Sequence, residues 1–228
     1  SILPINIYSD DGRFDDLRFK KLADSIDFAV TRGADIISIS QGISKYNKYS
    51  FQFIDGDYDK SMDYIKQSIK RAKDKGILIV GSVSNDSSRD HFEDPSIPGN
   101  LENVISVANV DFDGVIQSGY GKNVDIAYYG TDIFVWAGRC DEYVRSNRGS
   151  CDNLQASNGF ELVKGSSLST PIVAVALAGV KATGVEVKFD DEFNKRISSS
   201  CSRKISSRKN IGSRCIFSPS KFTKSYVK

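Results

Sequence analysis

Gly76-Ile77-Leu78-Ile79-Val80-Gly81-Ser82-Val83-Ser84-Asn85 is the stretch that decides the fold class. Its apolar run, Ile77 to Val80, shows no alternation, so a strand here is buried on both faces, the habit of parallel sheets covered by helices. The run is short and ends in small polar residues. Upstream, Met62, Ile65, Ile69 and Ala72 recur at helical spacing, and Lys75-Gly76 reads as the end of that helix. The same unit repeats outward. Leu22, Ile26, Ala29 and Val30 share one helical face, Gly33 marks its C-terminus, and Ile36-Ile37-Ser38-Ile39-Ser40 follows as a strand. Val104-Ile105-Ser106-Val107-Ala108 and Val124–Ala127 read as later strands, and Leu3–Tyr8 as an earlier one that turns at Ser9-Asp10-Asp11-Gly12. This alternation predicts an α/β fold, a parallel sheet with helices on both faces.

In such sheets, ligands gather at the carboxyl ends of the strands. Those ends carry Ser40-Gln41-Gly42 and Ser82-Val83-Ser84-Asn85, small polar stretches that let backbone approach a ligand; ordinary turn chemistry is the alternative. A second junction, Gly165-Ser166-Ser167-Leu168-Ser169-Thr170-Pro171, runs into Ile172–Val180, which reads as a buried helix. A hydroxyl in the first turn of such a helix lies where backbone N–H groups and the helix dipole favour developing negative charge. That position suits a nucleophilic serine; a serine N-cap before a core helix is the other reading.

The 228 residues suffice for one sizeable core, and 39% apolar with 26% charged residues is ordinary for a soluble protein. No apolar run approaches the roughly 18–20 residues of a membrane span. The chain begins with Ser1, inside strand-like sequence, which predicts a fragment that lacks its N-terminal strands. A net charge of +2 hides an asymmetry: from Asn194 onward ten of the 31 basic residues occur with none of the 29 acidic ones, leaving 21 basic against 29 acidic before it, a net of −8. The expected division is a domain over residues 1–197, closed by an amphipathic segment Phe189–Ile197, and a basic, Ser-rich extension over 198–228. Such a tail is ordinarily solvated; self-association or contact with an anionic surface is its other use, and no nucleic-acid partner is predicted. The cysteines form two local pairs, Cys140/Cys151 and Cys201/Cys215, with no CxxC spacing, and the sole histidine, His91, is far away in sequence, so no metal site is expected. Disulfides within each pair imply a secreted or other oxidising extracytoplasmic location; free thiols in a reducing compartment are the alternative.

The order of these segments resembles the subtilisin-like serine peptidases. Ala34–Gly42 is similar to the family's A-D-V-I-N-M-S-L-G strand and substrate edge, and Gly76–Asn85 to the strand ending in A-A-G-N. Pro98-Gly99 with Asn103–Ala108 is similar to the stretch that follows, and Gly165–Pro171 to the nucleophile motif G-T-S-M-A-T-P. The resemblance covers residues 3–185. It implies Ser167 as nucleophile and Asn85 as side-chain donor of the oxyanion hole, with the Ser167 N–H as second donor. It implies Ser40, Gln41 and Gly42 as the edge that pairs with substrate backbone, and Ser82, Val83 and Ser84 as a wall of the specificity pocket. Calcium is frequent in the family, although no ligand set can be matched to these residues.

The departures are specific. The family's Asp (D-T-G) and His (H-G-T-H) motifs lie upstream of the strand that here begins at Leu3, and neither is present. His91 follows the Asn85 strand, the wrong place for a general base. Ser84 stands for a glycine, Tyr129 for a proline, and Cys140–Cys151 reads as an insertion. The expectation is a serine endopeptidase acting on peptide or protein through a Ser167 acyl-enzyme, present as a fragment whose Asp and His lie in a missing N-terminal segment and inactive by itself. A pseudopeptidase that keeps the fold as a binding or regulatory module is the alternative, and a non-peptidase surface-binding protein a third.

Overall fold

The computed structural model describes residues 1–7, 18–44, 57–88, 90, 92, 95–136, 160–205, 211 and 215–226. The amphipathic segments fold as expected. Helix α1 (Arg18–Thr31) buries Leu22, Ile26 and Ala29, and α2 (Tyr58–Asp74) buries Met62, Ile65, Ile69 and Ala72. Asp57 caps α2 by accepting from the Lys60 N–H at 3.1 Å, and Gly76 leaves it at a φ of 69°, a left-handed conformation that costs glycine little. The strands β1 (Ile36–Ile39), β3 (Leu78–Ser82), β5 (Val104–Val110) and β6 (Ile126–Tyr129) lie parallel and adjacent in that order, with β2 (Ile43–Ser44) between β1 and α2 in the chain.

Alternate residues of each strand serve different faces. Ile79 and Val104 pack under α1 and α2, whereas Leu78, Val80, Ile105, Val107 and Ile126 meet the other helical layer. That layer is led by α3 (Ser166–Lys181), which lies against β1, β3 and β5. Helix α4 (Asp191–Ser199), capped by Asp190 at the Phe193 N–H (2.9 Å), and α5 (Pro219–Tyr226) complete it. Two short pairs flank the sheet: β2 with β4 (Ser96–Ile97), and β7 (Ile133–Trp136) with β8 (Phe160–Val163), both antiparallel.

Four expectations need adjustment. Residues 1–7 form no strand, although Leu3–Tyr8 reads as one; Ile2 and Leu3 are exposed and Ile7 rests on the α1–α2 core. An extended segment becomes a strand only through a hydrogen-bonded neighbour, and β1 has β3 as its one strand partner among the described residues. The sheet is mostly rather than wholly parallel, because β9 (Cys201–Lys204) closes it antiparallel to β10 (Cys215–Phe217). Residues 198–228, read as an extension, are drawn into the fold in their described part. There β10 pairs parallel with β6, and Ile216, Phe217 and Phe222 are buried, since these few apolar side chains have a sheet face and a ring cluster to join. Finally, α3 is not buried all round. Val175 is 71% exposed, and Pro171, Ala178, Gly179 and Ala182 share that outward stripe.

The expected pairing of Cys201 with Cys215 is present and ties β9 to β10. Cys140 and Cys151 lie outside the described residues, as do His91 and the aromatic anchors Tyr46, Tyr49, Phe51 and Phe53.

One buried carboxyl makes stability depend on pH. Asp125, at the entry to β6, accepts from the Ser106 N–H and its hydroxyl, each at 2.8 Å. Burial outweighs those bonds and pushes its carboxyl up from 3.8 to about 6. A carboxyl raised on folding holds its proton more tightly in the folded chain, so its contribution is full below about pH 4 and is lost as pH rises through about 6. Urea unfolding from pH 4 to pH 7 is expected to show about 1–3 kcal/mol of lost stability from this group. Asp125→Asn should flatten that slope; an equal slope in the variant would refute the assignment.

Candidate active site

The site is built at the carboxyl ends of β1 and β3, where the N-terminus of α3 meets them. Ser40 follows β1, and its hydroxyl donates to the Ser167 carbonyl at 2.8 Å, while the Ser167 hydroxyl donates to the Ser40 carbonyl at 3.0 Å. The reciprocal pair depends on Pro171. Within α3 the Ser167 carbonyl would ordinarily accept from the N–H four residues on, but proline has none. The carbonyl is therefore free for Ser40. The half-buried Ser167 is thereby fixed against the first proposed substrate edge.

Asn85 approaches from β3. Its Oδ1 accepts from the Ser166 N–H at 2.8 Å, and the Ser166 hydroxyl lies between that oxygen (3.0 Å) and the Val83 carbonyl. Gly165, the residue before α3, makes no side-chain cap of its own, so Asn85 caps the helix from 81 residues away. A Cβ on Gly165 would stand 3.1 Å from Asn85 Nδ2 and 3.3 Å from Oδ1, so only glycine lets the amide sit this close without displacement. With Oδ1 anchored on Ser166, the donor end of the amide has no partner among the described residues. The turn is held from below by the Gly165 N–H, which donates to the Gly130 carbonyl at 2.8 Å.

Ser40, Asn85, Ser166 and Ser167 thus come together as the sequence predicts for the first, second and fourth. Gln41 and Gly42 continue the edge, half-buried and exposed respectively. The second edge differs in character along its length. Ser82 and Val83 are buried, Val83 among Ala108, Val110 and Ile116, so they present backbone rather than side chain. Ser84 is half-buried, and its carbonyl accepts from the Gly119 N–H at 2.8 Å. Sequence reasoning missed Gly130 and Ser96, the second of which stands beneath Gly42. Ser96 lies in β4 and Gly130 just after β6, both distant in sequence from the residues they touch, and no local pattern marks them.

Chemically, the arrangement offers a hydroxyl at a helix N-terminus, a free amide donor and a backbone edge. Its limit is the proton: the Ser40 carbonyl accepts a hydrogen bond from Ser167 Oγ but cannot take the proton away. Among the described residues no group of three or more His, Cys, Asp and Glu side chains could hold a metal ion.

A sequence profile of the subtilase family matches residues 1–187. No curated protein sequence matches at a significant level. Solved structures do. The Prenylagaramide maturation protease PagA is 20% identical, with a TM-score of 0.63 over 92% of this chain and 68% of that one. A lanthipeptide protease is 16% identical, with a TM-score of 0.65 over 96% and 68%. The nisin leader peptidase NisP from Lactococcus lactis is 19% identical, with a TM-score of 0.62 over 92% and 63%.

Proposed function

The chain belongs to the subtilase family, and from that footing we propose that the protein is a serine endopeptidase cutting peptide or protein substrates through a Ser167 acyl-enzyme. The observation that carries this reading is the convergence of Ser167, Ser40 and Asn85 at the α3 N-terminus. Ser167 Oγ attacks the scissile carbonyl carbon. The resulting oxyanion is held by the Ser167 N–H and Asn85 Nδ2, and collapse of the intermediate expels the amine and leaves an ester on Ser167. Ser40, Gln41 and Gly42 hold substrate backbone by strand addition.

The general base and its orienting carboxylate belong to a segment outside these 228 residues. Three features support this. The chain has a single histidine, β1 has one strand partner among the described residues, and α3 presents Val175 and its apolar neighbours to solvent, where a further element would cover them. The Cys201–Cys215 disulfide supports an extracytoplasmic location. No helix among the described residues is long and apolar enough to cross a membrane.

Two measurements test the reading. Residues 1–228 alone are expected to turn over no peptide, and steady turnover abolished by Ser167→Ala would refute the need for an outside base. A fluorophosphonate probe is expected to label Ser167 in the protein that carries the upstream segment. A folded, complete protein that stays unlabelled would favour a pseudopeptidase, the reading that the lone histidine supports.

A further inference from the structure

One polar side chain stands in a row that the core otherwise fills with apolar ones. Along β5, Ile105 and Val107 face the α3 layer, and Asn109 comes next on that face. Asn109 is fully buried, so its amide requires partners. Its Nδ2 donates to the Thr131 hydroxyl at 3.1 Å, and that hydroxyl donates back to Asn109 Oδ1 at 3.3 Å. The backbone is engaged separately: the Asn109 N–H donates to Ser118 Oγ (2.8 Å), and its carbonyl accepts from the Gln117 N–H (2.9 Å). The side chain is therefore not needed to close the strand. It reaches across to the residue that follows Gly130.

Gly130 is the link to the reacting turn. Just past β6, its N–H donates to the Val110 carbonyl (3.3 Å), and its own carbonyl accepts from the Gly165 N–H at 2.8 Å. A Cβ on Gly130 would stand 2.7 Å from the Gly165 carbonyl oxygen, 2.9 Å from Asn109 Oδ1 and 3.0 Å from the buried Ser169 Oγ. Asn109 thus packs on the same face of Gly130 as the turn itself. Tethers on both sides of Gly130, at Val110 and at Thr131, set the direction of its carbonyl. We propose that Asn109 is a positioning residue for the nucleophile turn: through Thr131 it fixes Gly130, and through Gly130 the Gly165 N–H that precedes Ser166 and Ser167. Rotation of Gly130 would release that N–H and let the two oxyanion donors, the Ser167 N–H and Asn85 Nδ2, drift apart. A satisfied buried network holds the donors in place before substrate arrives, as an oxyanion site requires. This inference rests on the peptidase reading, since it assigns the turn a reaction.

The test uses the protein with its upstream segment and a peptidyl fluorophosphonate, whose kinetics separate reversible binding from the bond-forming step. Thr131→Val keeps the shape and removes the hydroxyl. It is expected to slow the bond-forming step about 10–100-fold and to leave the binding constant within about threefold. Asn109→Leu should do the same, and the double variant should cost no more than either alone, because both break one hydrogen-bonded unit. Thr131→Ser keeps the hydroxyl and should keep the rate. Hydrogen exchange gives a readout free of catalysis. In Thr131→Val the Gly165 N–H should lose about tenfold or more of its protection, while the Ile65 N–H of α2, in the separate α1–α2 core, keeps its own. A merely structural role would lower protection at both amides equally and leave the rate of the folded protein unmoved. Folded variants that react within about twofold of the unsubstituted protein overturn the inference, as does unchanged Gly165 exchange or a deficit confined to binding. Should Asn109→Leu fail to fold, the two Thr131 variants carry the test. If the unsubstituted protein takes no label, the peptidase reading falls, and Gly165 exchange then decides the positioning of the turn by itself.

Discussion

Asn85→Leu is expected to slow phosphonylation of Ser167 by about 100–1,000-fold, the cost of losing one oxyanion donor. Leucine keeps the shape of the amide and removes both of its functions. The Nδ2 donor goes, and so does the Oδ1 acceptor that holds the Ser166 N–H and hydroxyl. The second loss frees the first N–H of α3, so the turn carrying Ser167 loosens as the oxyanion site weakens. Ser166→Ala removes only the hydroxyl contact and should cost far less. The double variant should cost less than the two single losses combined, because both act on one hydrogen-bonded unit. The measurement is the second-order rate of fluorophosphonate labelling in the protein with its upstream segment. A loss below about fivefold for Asn85→Leu would remove Asn85 from the oxyanion site.

Phe222→Ala is expected to destabilise the fold by about 3–5 kcal/mol, a cost typical of removing a buried aromatic ring. Phe222 is wholly buried on α5, with ring centroids 5.5 Å from Phe193, 5.3 Å from Phe217 and 5.1 Å from Tyr226. These rings join β10, α4 and α5 to the core under α3. Urea unfolding should remain a single transition shifted to lower midpoint. A change below about 0.5 kcal/mol would mean that residues 198–228 are an appendage after all.

The sequence carried the regular part of this fold because burial leaves a period. Leu22, Ile26 and Ala29, or Met62, Ile65 and Ile69, repeat at helical spacing, and the run Ile77–Val80 has no polar face because helices cover both sides of β3. What it could not show is short or shared. Cys215-Ile216-Phe217 has too few residues to display a period and lies in a basic, Ser-rich stretch, so its place beside β6 is decided by Ala127, far upstream. The outward stripe of α3 is equally invisible, because an apolar helix does not record which of its faces the rest of the chain reaches.

The same division runs through the site. Ser167, Asn85 and Ser40 are legible because each ends a recognisable strand or opens a helix, and the chain places hydroxyl, amide and edge in order. That the Ser40 hydroxyl should donate to the freed Ser167 carbonyl, that Asn85 should cap a helix 81 residues away, and that Ser96 should lie beneath Gly42 are facts of packing. By itself, then, the sequence determined the α/β layering, which follows from local period, and singled out the Ser167 hydroxyl proposed as nucleophile, which follows from the resemblance of its segments to the subtilases. The tertiary structure alone decided the capping of α3 by Asn85, the pairing of Ser40 with Ser167 and the inclusion of the described part of the basic tail. Those depend on contacts between residues that no local pattern links, and their energy appears only once the sheet has brought them together.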